Sequence, residues 1–168
     1  MVESKGVKNA AVKLAVLSTE SDVYWRKFSW KPKGKQLLVV CNYPSSMSVD
    51  RLDLTTMLIL NNSMDLGFGS VVIANLFTRP VKSPRDSLLN RAYAADAMDE
   101  LVAQSKGVDQ VVIGIGSLIN KSKTAKFRLE EYQRLMKKAK VDVKMLVSPE
   151  TKTPNHPLAL QRDSWEFA

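Results

Sequence analysis

The chain opens with two short segments whose pattern of apolar and polar residues has the period of a β-strand. "KLAVLST" is a short predicted strand, and "DVYWRKFSW" places Tyr24, Arg26, Phe28 and Trp30 on one face. "KPKGK" at 31–35 follows with a proline and a glycine, which is typical of a turn. Residues 1–35 are therefore predicted to form an N-terminal strand or hairpin added to a larger core.

Beyond this turn, continuous apolar runs alternate with amphipathic segments. The apolar runs predict four buried strands, at 36–44, 70–77, 109–117 and 141–148. The segments between them predict three helices. The first lies within 48–68, the second begins within 84–93 and ends near Gly107, and the third covers 124–140. This alternation predicts an α/β fold, a three-layer α/β/α sandwich with a mainly parallel central sheet. We expect one domain over 1–168, with its core at 36–160.

Ligands of parallel α/β sheets bind outside the carboxyl ends of the strands, which singles out the loops that follow the predicted strands. These loops are "CNYPSS", "NLFTRPVKSPRD", "GIGSLINKSK" and "SPETKTPNHPL". We expect all four to line one edge of the sheet.

The first loop carries polar groups that suit either ligand binding or local structure. Asn42 both donates and accepts hydrogen bonds, so it is a candidate for orienting a water or a ligand, or for an Asx-turn. Pro44 stiffens the loop, while Ser45 either caps the next helix or helps to hold an anion. Asp53 falls on the first turn of that helix, where it satisfies the dipole and is within reach of the strand edge.

The second and third loops are rich in cations. Asn75, Arg79, Lys82 and Arg85 suit phosphate contacts or a solvated loop, and Phe77 suits ligand stacking or core packing. "GIGS" at 114–117 lacks the third glycine of a dinucleotide fingerprint and the ending of a Walker loop. The cations that follow it are again compatible with phosphates, and they are Lys121, Lys123, Lys126 and Arg128.

The fourth loop holds the only histidine of the chain, His156, between Asn155 and Pro157. Cys41, the only cysteine, ends an apolar strand, which favours an inert buried thiol over a nucleophile paired with His156. A Gly-x-Ser-x-Gly elbow of a serine hydrolase is absent.

Composition narrows the class of partner. The formal net charge of +8 favours nucleic acid, a nucleotide or another anionic ligand, although a basic protein without an anionic partner fits it equally well. One cysteine and one histidine argue against a zinc or iron–sulfur site, and no cofactor is expected. Without a long apolar run or a signal peptide, we expect a soluble cytoplasmic protein with no membrane partner.

Taken in order, these motifs resemble the bacterial and phage family called domain of unknown function 1643. The resemblance extends from about Tyr24 to about Leu160 and departs from the usual pattern at Tyr43, Ile115 and Asn155. The matching residues are Asn42, Pro44, Ser45, Asp53, Thr55, Asn75, Leu76, Phe77, Gly116, Pro154, His156, Pro157 and Leu158.

A second likeness is to uracil-DNA glycosylase-type enzymes, which carry an Asn-Pro or Asp-Pro motif after the first core strand and a His-Pro motif near the C-terminus. That likeness implies that Asn42 positions a water, that His156 stabilises the departing base and that Leu158 wedges into the duplex. Tyr43 or Phe77 would stack on the extruded base. The alternatives are an enzyme acting on a small nucleotide or nucleoside, and a non-catalytic accessory or partner-binding protein.

Overall fold

A computed structural model describes residues 2–168, and its strands form one seven-stranded sheet in the order β1-β2-β4-β3-β5-β6-β7. The strands are β1 (Lys13–Ser18), β2 (Val23–Ser29), β3 (Gln36–Cys41), β4 (Ser70–Asn75), β5 (Gln110–Ile113), β6 (Val143–Val147) and β7 (Glu166–Phe167). The helices are α1 (Leu54–Asp65), α2 (Asp86–Leu89), α3 (Ala97–Lys106), α4 (Leu118–Lys121), α5 (Lys123–Lys138) and the 3-10 helix η1 (Pro157–Leu160).

The sheet is mixed, so the expectation of a mainly parallel sheet is not confirmed. Only the four inner strands β4, β3, β5 and β6 run parallel to one another. The predicted N-terminal hairpin forms, but β2 joins the sheet antiparallel to β4, and β7 pairs antiparallel with β6. The parallel expectation therefore holds for the centre, and chain segments outside the α/β repeat supply antiparallel edges.

Both faces of the sheet are buried, because alternate residues of each inner strand enter two separate apolar clusters. Leu38 and Val40 belong to the cluster beneath α3 and α5, while Leu37 and Val39 belong to the cluster beneath α1 and η1. All four side chains are 0% exposed. At roughly 1.5–3 kcal/mol for each fully buried aliphatic side chain, this double burial holds β3 at the centre of the fold.

One predicted helix is broken. The segment 84–107 forms α2 and α3, separated by the irregular residues 90–96, because the backbone there has partners outside the helix. The carbonyl of Ala92 accepts hydrogen bonds from the N–H groups of Thr78 and Arg79, and the N–H of Ala94 donates to Thr78 Oγ1. These hydrogen bonds replace those of a continuous helix, and the pattern of apolar residues along 84–107 carries no information about them. Across 2–168, no helix is long and apolar enough to cross a membrane.

Candidate functional site

A cleft of about 420 Å³ lies at the carboxyl edge of the parallel strands. The loops after β3, β4, β5 and β6 all contribute to its wall, together with Thr55 at the start of α1. Five side chains singled out from the sequence line it: Asn42, Tyr43, Ser45, His156 and Leu158. The strand order thus brings together two polar motifs that are far apart in the chain.

Asn42 is held in place by both its backbone and its side chain. Its carbonyl accepts a hydrogen bond of 2.9 Å from Phe77 N, and its Nδ2 donates one of 2.9 Å to the carbonyl of Ile115. Because a carbonyl only accepts, the amide nitrogen must face Ile115. The other amide atom, Oδ1, is buried and has no hydrogen-bond partner among residues 2–168. Such an acceptor costs about 1–3 kcal/mol, which makes it a candidate binding group.

His156 has a defined tautomer. Its Nδ1 accepts a hydrogen bond of 3.1 Å from Leu158 N and so caps η1, which leaves the proton of the neutral imidazole on Nε2. Burial lowers the pKa of His156, and the charge of Asp53 raises it by less, so that the net direction is downward. At neutral pH His156 is therefore an uncharged imidazole with an Nε2–H donor.

A network beneath the cleft fixes the loop between Asn42 and α1. Asp53 caps α1 by accepting from Thr56 N at 2.7 Å, and its second oxygen accepts from the hydroxyl of Ser45. Burial acts to raise the pKa of Asp53, but these hydrogen bonds and the charge of Arg26 outweigh it and lower the pKa. Asp53 thus contributes indirectly, by holding Ser45, instead of lining the cleft.

Arg26, which projects from β2, ties down the same loop. Its guanidinium donates to the carbonyl of Arg51 at 3.1 Å and to Thr56 Oγ1 at 2.7 Å. Burial lowers the pKa of Arg26, partly offset by the charge of Asp53. The alternation of β2 put Arg26 on a face of the hairpin, but no sequence signal connected it with the loop at 45–53.

Pro44 and Asn75 lie beside the cleft. They line a separate small cavity of about 20 Å³, and Ser45 borders both spaces. A cavity of this size holds about one water molecule, given the roughly 10–15 Å³ that a single water requires. These two residues therefore line the small cavity and not the cleft.

Two expected ligand contacts need correction. Phe77 is 0% exposed and packs in the core with Tyr93, which excludes it from stacking on a ligand. Arg79 forms an ion pair of 2.9 Å with Asp22 and lines none of the cleft. Burial acts to raise the pKa of Asp22, but the hydrogen bonds from Arg79 and Thr78 lower it overall.

Arg128 is buried and does not line the cleft, so the prediction that it suits a phosphate contact is not supported. It is 6% exposed, stacks 3.9 Å from the ring of Tyr93, and donates from Nε to the carbonyl of Leu76 at 2.8 Å. The N–H of Leu76 in turn donates to the carbonyl of Cys41. Arg128 thereby fixes the segment against which Asn42 is hydrogen-bonded.

Lys121 is the one charged side chain among the described residues that line the cleft. The wall is otherwise a mixture of hydroxyl, amide and apolar groups. Beyond Lys121 and the five side chains named above, the lining residues are Thr55, Pro84, Ile115, Ser117 and Leu118. Such a mixture suits a largely uncharged, partly apolar ligand.

Neither a cysteine nucleophile nor a cluster of metal-ligand side chains is found near the cleft. Burial raises the pKa of Cys41 to about 12, with a smaller upward contribution from Asp53, so the thiol stays protonated at neutral pH. Within residues 2–168, no group of three or more His, Cys, Asp or Glu side chains is placed to hold a metal ion.

Comparison with known proteins identifies a family but no characterised relative. No curated protein and no solved structure matches the chain, and the likeness to uracil-DNA glycosylase-type enzymes receives no support. The model of the family described as "Protein of unknown function (DUF1643)" matches residues 24–158, most of the chain. The chain therefore belongs to the DUF1643 family of proteins of unknown function.

Proposed function

We propose that the protein binds one base of a nucleic acid in this cleft and hydrolyses the N-glycosidic bond of that base. The observation that carries the proposal is the pair formed by Asn42 and His156 in one cleft. Asn42 contributes an acceptor, Oδ1, that has no partner in the described chain. His156 contributes a donor, Nε2–H, because its Nδ1 is occupied by Leu158 N.

Hydrolysis of a glycosidic bond needs an acceptor and a donor of this kind. Water attacks C1′ of the sugar, the C1′–N bond breaks, and its electron pair moves to the departing base. The acceptor of Asn42 orients the water, while Nε2–H of His156 donates to the base oxygen on which negative charge develops. The proton lost by the water ends on the base, so that the products are the free base and a sugar with a new hydroxyl group.

The apolar part of the wall suits the faces of a base. Tyr43 is half-buried at the cleft, where its ring can stack on a base drawn out of the nucleic acid. Leu158 is 40% exposed at the same cleft and is the candidate for filling the space that the base leaves. Lys121 can contact an adjacent phosphate.

The test is release of free base from oligonucleotides that contain each common base and uracil, followed by chromatography. His156→Asn keeps an acceptor where Nδ1 lies but removes the Nε2–H donor, so the cap of η1 remains. We expect this variant to lower the rate by about 10²–10³-fold, the usual effect of removing one charge-stabilising donor. Asn42→Ala removes the acceptor that orients the water and should lower the rate by about 10²-fold or more. Asn61→Ala, at an exposed position of α1, is the matched control and should retain full activity.

Two outcomes would contradict the proposal at different points. If the protein binds oligonucleotides but releases no base, the proposed hydrolysis is contradicted and only the proposed base binding is retained. Full activity of both Asn42→Ala and His156→Asn would show that the reaction takes place elsewhere.

A second candidate is an enzyme that acts on a free nucleoside, favoured by the near absence of charge in the cleft. Only Lys121 among its described lining residues is charged, and a neutral nucleoside needs no more. Salt separates the two candidates, because affinity for nucleic acid falls steeply between 50 and 200 mM salt, on the order of 10³-fold for several phosphate contacts. Affinity for a neutral nucleoside should be unchanged over that range.

A further inference from the structure

Next to the cleft, the start of α5 presents a positively charged surface. Lys121, Lys123 and Lys126 are exposed and line a shallow surface pocket of about 400 Å³, with no acidic residue among its described lining side chains. Lys121 lines both this pocket and the cleft, so the two spaces adjoin at this residue. A polyanion that crosses the pocket would therefore pass directly by the cleft.

The same surface carries an exposed aromatic ring. Phe127 is 64% exposed, whereas Phe28 and Phe77 are buried in the two core clusters. It follows Lys126 directly and lies four residues after Lys123, which places Phe127 and Lys123 as neighbours on one face of the helix. The ring of Phe127 is therefore presented to solvent beside Lys123 and belongs to neither core cluster.

We propose that this α5 surface binds single-stranded nucleic acid, with phosphates on Lys121, Lys123 and Lys126 and one base stacked on Phe127. Lysines that track a backbone beside an aromatic ring that stacks a base are the usual elements of single-strand recognition. The surface is bounded by Asp86, which accepts a hydrogen bond from Ser122, and by Glu130, one turn beyond Phe127. These carboxylates would repel a backbone that left the lysine path.

The choice of a single strand over a duplex follows from Phe127. Bases in a duplex are stacked on each other and offer no free face, whereas an unpaired base can stack on an aromatic ring. A single strand also delivers an unpaired base to the cleft without the cost of opening a helix. This inference rests on the proposed function for the identity of the ligand in the cleft.

The experiment is fluorescence anisotropy with a labelled mixed-sequence single strand and with the matching duplex, each titrated at several salt concentrations. We expect the wild-type protein to prefer the single strand. Lys123→Gln/Lys126→Gln should reduce the slope of log affinity against log salt by about 1.4, since each phosphate contact on a single strand contributes about 0.7. The matched control is Lys137→Gln/Lys138→Gln, which removes two exposed lysines from the other end of α5 and should leave the slope unchanged.

Phe127 is tested separately from charge. Phe127→Ala should weaken single-strand binding about tenfold, the typical effect of removing one base-stacking ring, with an unaltered salt slope. Phe127→Trp should restore the affinity. Single-strand binding that is the same for wild type, Phe127→Ala and Lys123→Gln/Lys126→Gln would overturn the inference.

Failure here is distinguishable from failure of the proposed function. Base release that depends on Asn42 and His156, combined with strand binding that ignores Phe127, would overturn the α5 surface alone. Strand binding that depends on Phe127, without any base release, would support the α5 surface and overturn only the hydrolysis.

Discussion

The backbone of Gly116 lies directly against His156. A Cβ added to Gly116 would be 3.0 Å from the Cβ of His156 and 3.2 Å from the backbone nitrogen of His156. Gly116 also has a φ of +65°, a backbone conformation that residues with a Cβ rarely adopt. The loop after β5 thus sets the position of the histidine loop after β6. The two loops meet closely because the first of them has no side chain at this point.

Gly116→Ala is predicted to damage the cleft more than the fold. The added methyl group would displace His156 from its present position in the cleft, and ligand affinity or base release should fall at least tenfold. Gly67→Ala is the matched control, since Gly67 has a φ of +86° and open space around its Cβ. Both variants should lose about 1–2 kcal/mol of unfolding free energy from the left-handed backbone, but only Gly116→Ala should lose binding. Equal binding by the two variants would contradict the role given to this contact.

The pH dependence of stability should report the lowered pKa of His156. In the unfolded chain a histidine titrates near about 6.5, whereas burial lowers the pKa in the fold. The stabilising contribution is therefore complete above that value and is lost as pH falls from it through the folded pKa. His156→Asn keeps the cap without this titration. Below about pH 6.5, the unfolding free energy of wild type should fall relative to the variant by up to about 1.4 kcal/mol per pH unit.

Urea denaturation at pH 7.5, 6.5 and 5.5 measures this difference. Because His156 is the only histidine of the chain, no second imidazole contributes to it. Parallel pH curves for wild type and His156→Asn would show that the burial of His156 does not shift its pKa.

Asn42→Asp tests the orientation of the Asn42 amide. The new carboxylate would face the carbonyl of Ile115, which accepts from Nδ2 at 2.9 Å, and two acceptors would then oppose each other. We expect a loss of about 1–3 kcal/mol of unfolding free energy at pH 7.5, the cost of an unsatisfied buried group. The loss should shrink at pH 4.5, where the protonated carboxyl can donate to Ile115. Asn61→Asp, on the exposed face of α1, should change stability little at either pH. A stability of Asn42→Asp equal to wild type at both pH values would contradict the assigned amide.

The sequence was sufficient to bring Asn42, Tyr43, Ser45, His156 and Leu158 to one edge, because strand ends and their order follow from apolar runs and turn residues. For Phe77 the sequence offered both core packing and ligand stacking and did not decide between them. Tyr43 and Phe77 both follow strands directly, and only the three-dimensional path of each loop decides which ring faces the cleft and which enters the core.

The edges of the sheet were less predictable for a similar reason. The two-residue strand β7 is too short to show a period, and its pairing with β6 depends on the C-terminal residues folding back against β6. The position of Arg128 depends on a long-range contact with Leu76, for which helical periodicity carries no signal. Patterns along the chain describe local structure and order, whereas these contacts are set by tertiary packing.

Gly34 and Gly69 meet at the opposite edge of the sheet, where β3 and β4 begin. A substitution there should lower stability without changing ligand affinity, in contrast to the effect predicted for Gly116→Ala. A Cβ on Gly34 would lie 2.6 Å from Cα of Gly69, in a turn held by hydrogen bonds from Lys31 N to Gly69 O and from Gly69 N to Lys35 O. Because the obstructing atoms are backbone, Gly34→Ala should cost about 1–3 kcal/mol of unfolding free energy or more.

Ligand affinity per folded molecule should stay at the wild-type value in Gly34→Ala, since the cleft lies at the other end of the strands. Gly107→Ala is the control, because the nearest atom to its added Cβ is 3.7 Å away and its φ is −95°. Thermal unfolding combined with binding titrations at a temperature where the variant remains folded separates the two effects. A variant with unchanged stability would contradict the close backbone contact, and one that lost affinity while folded would show that the two ends of the sheet are coupled.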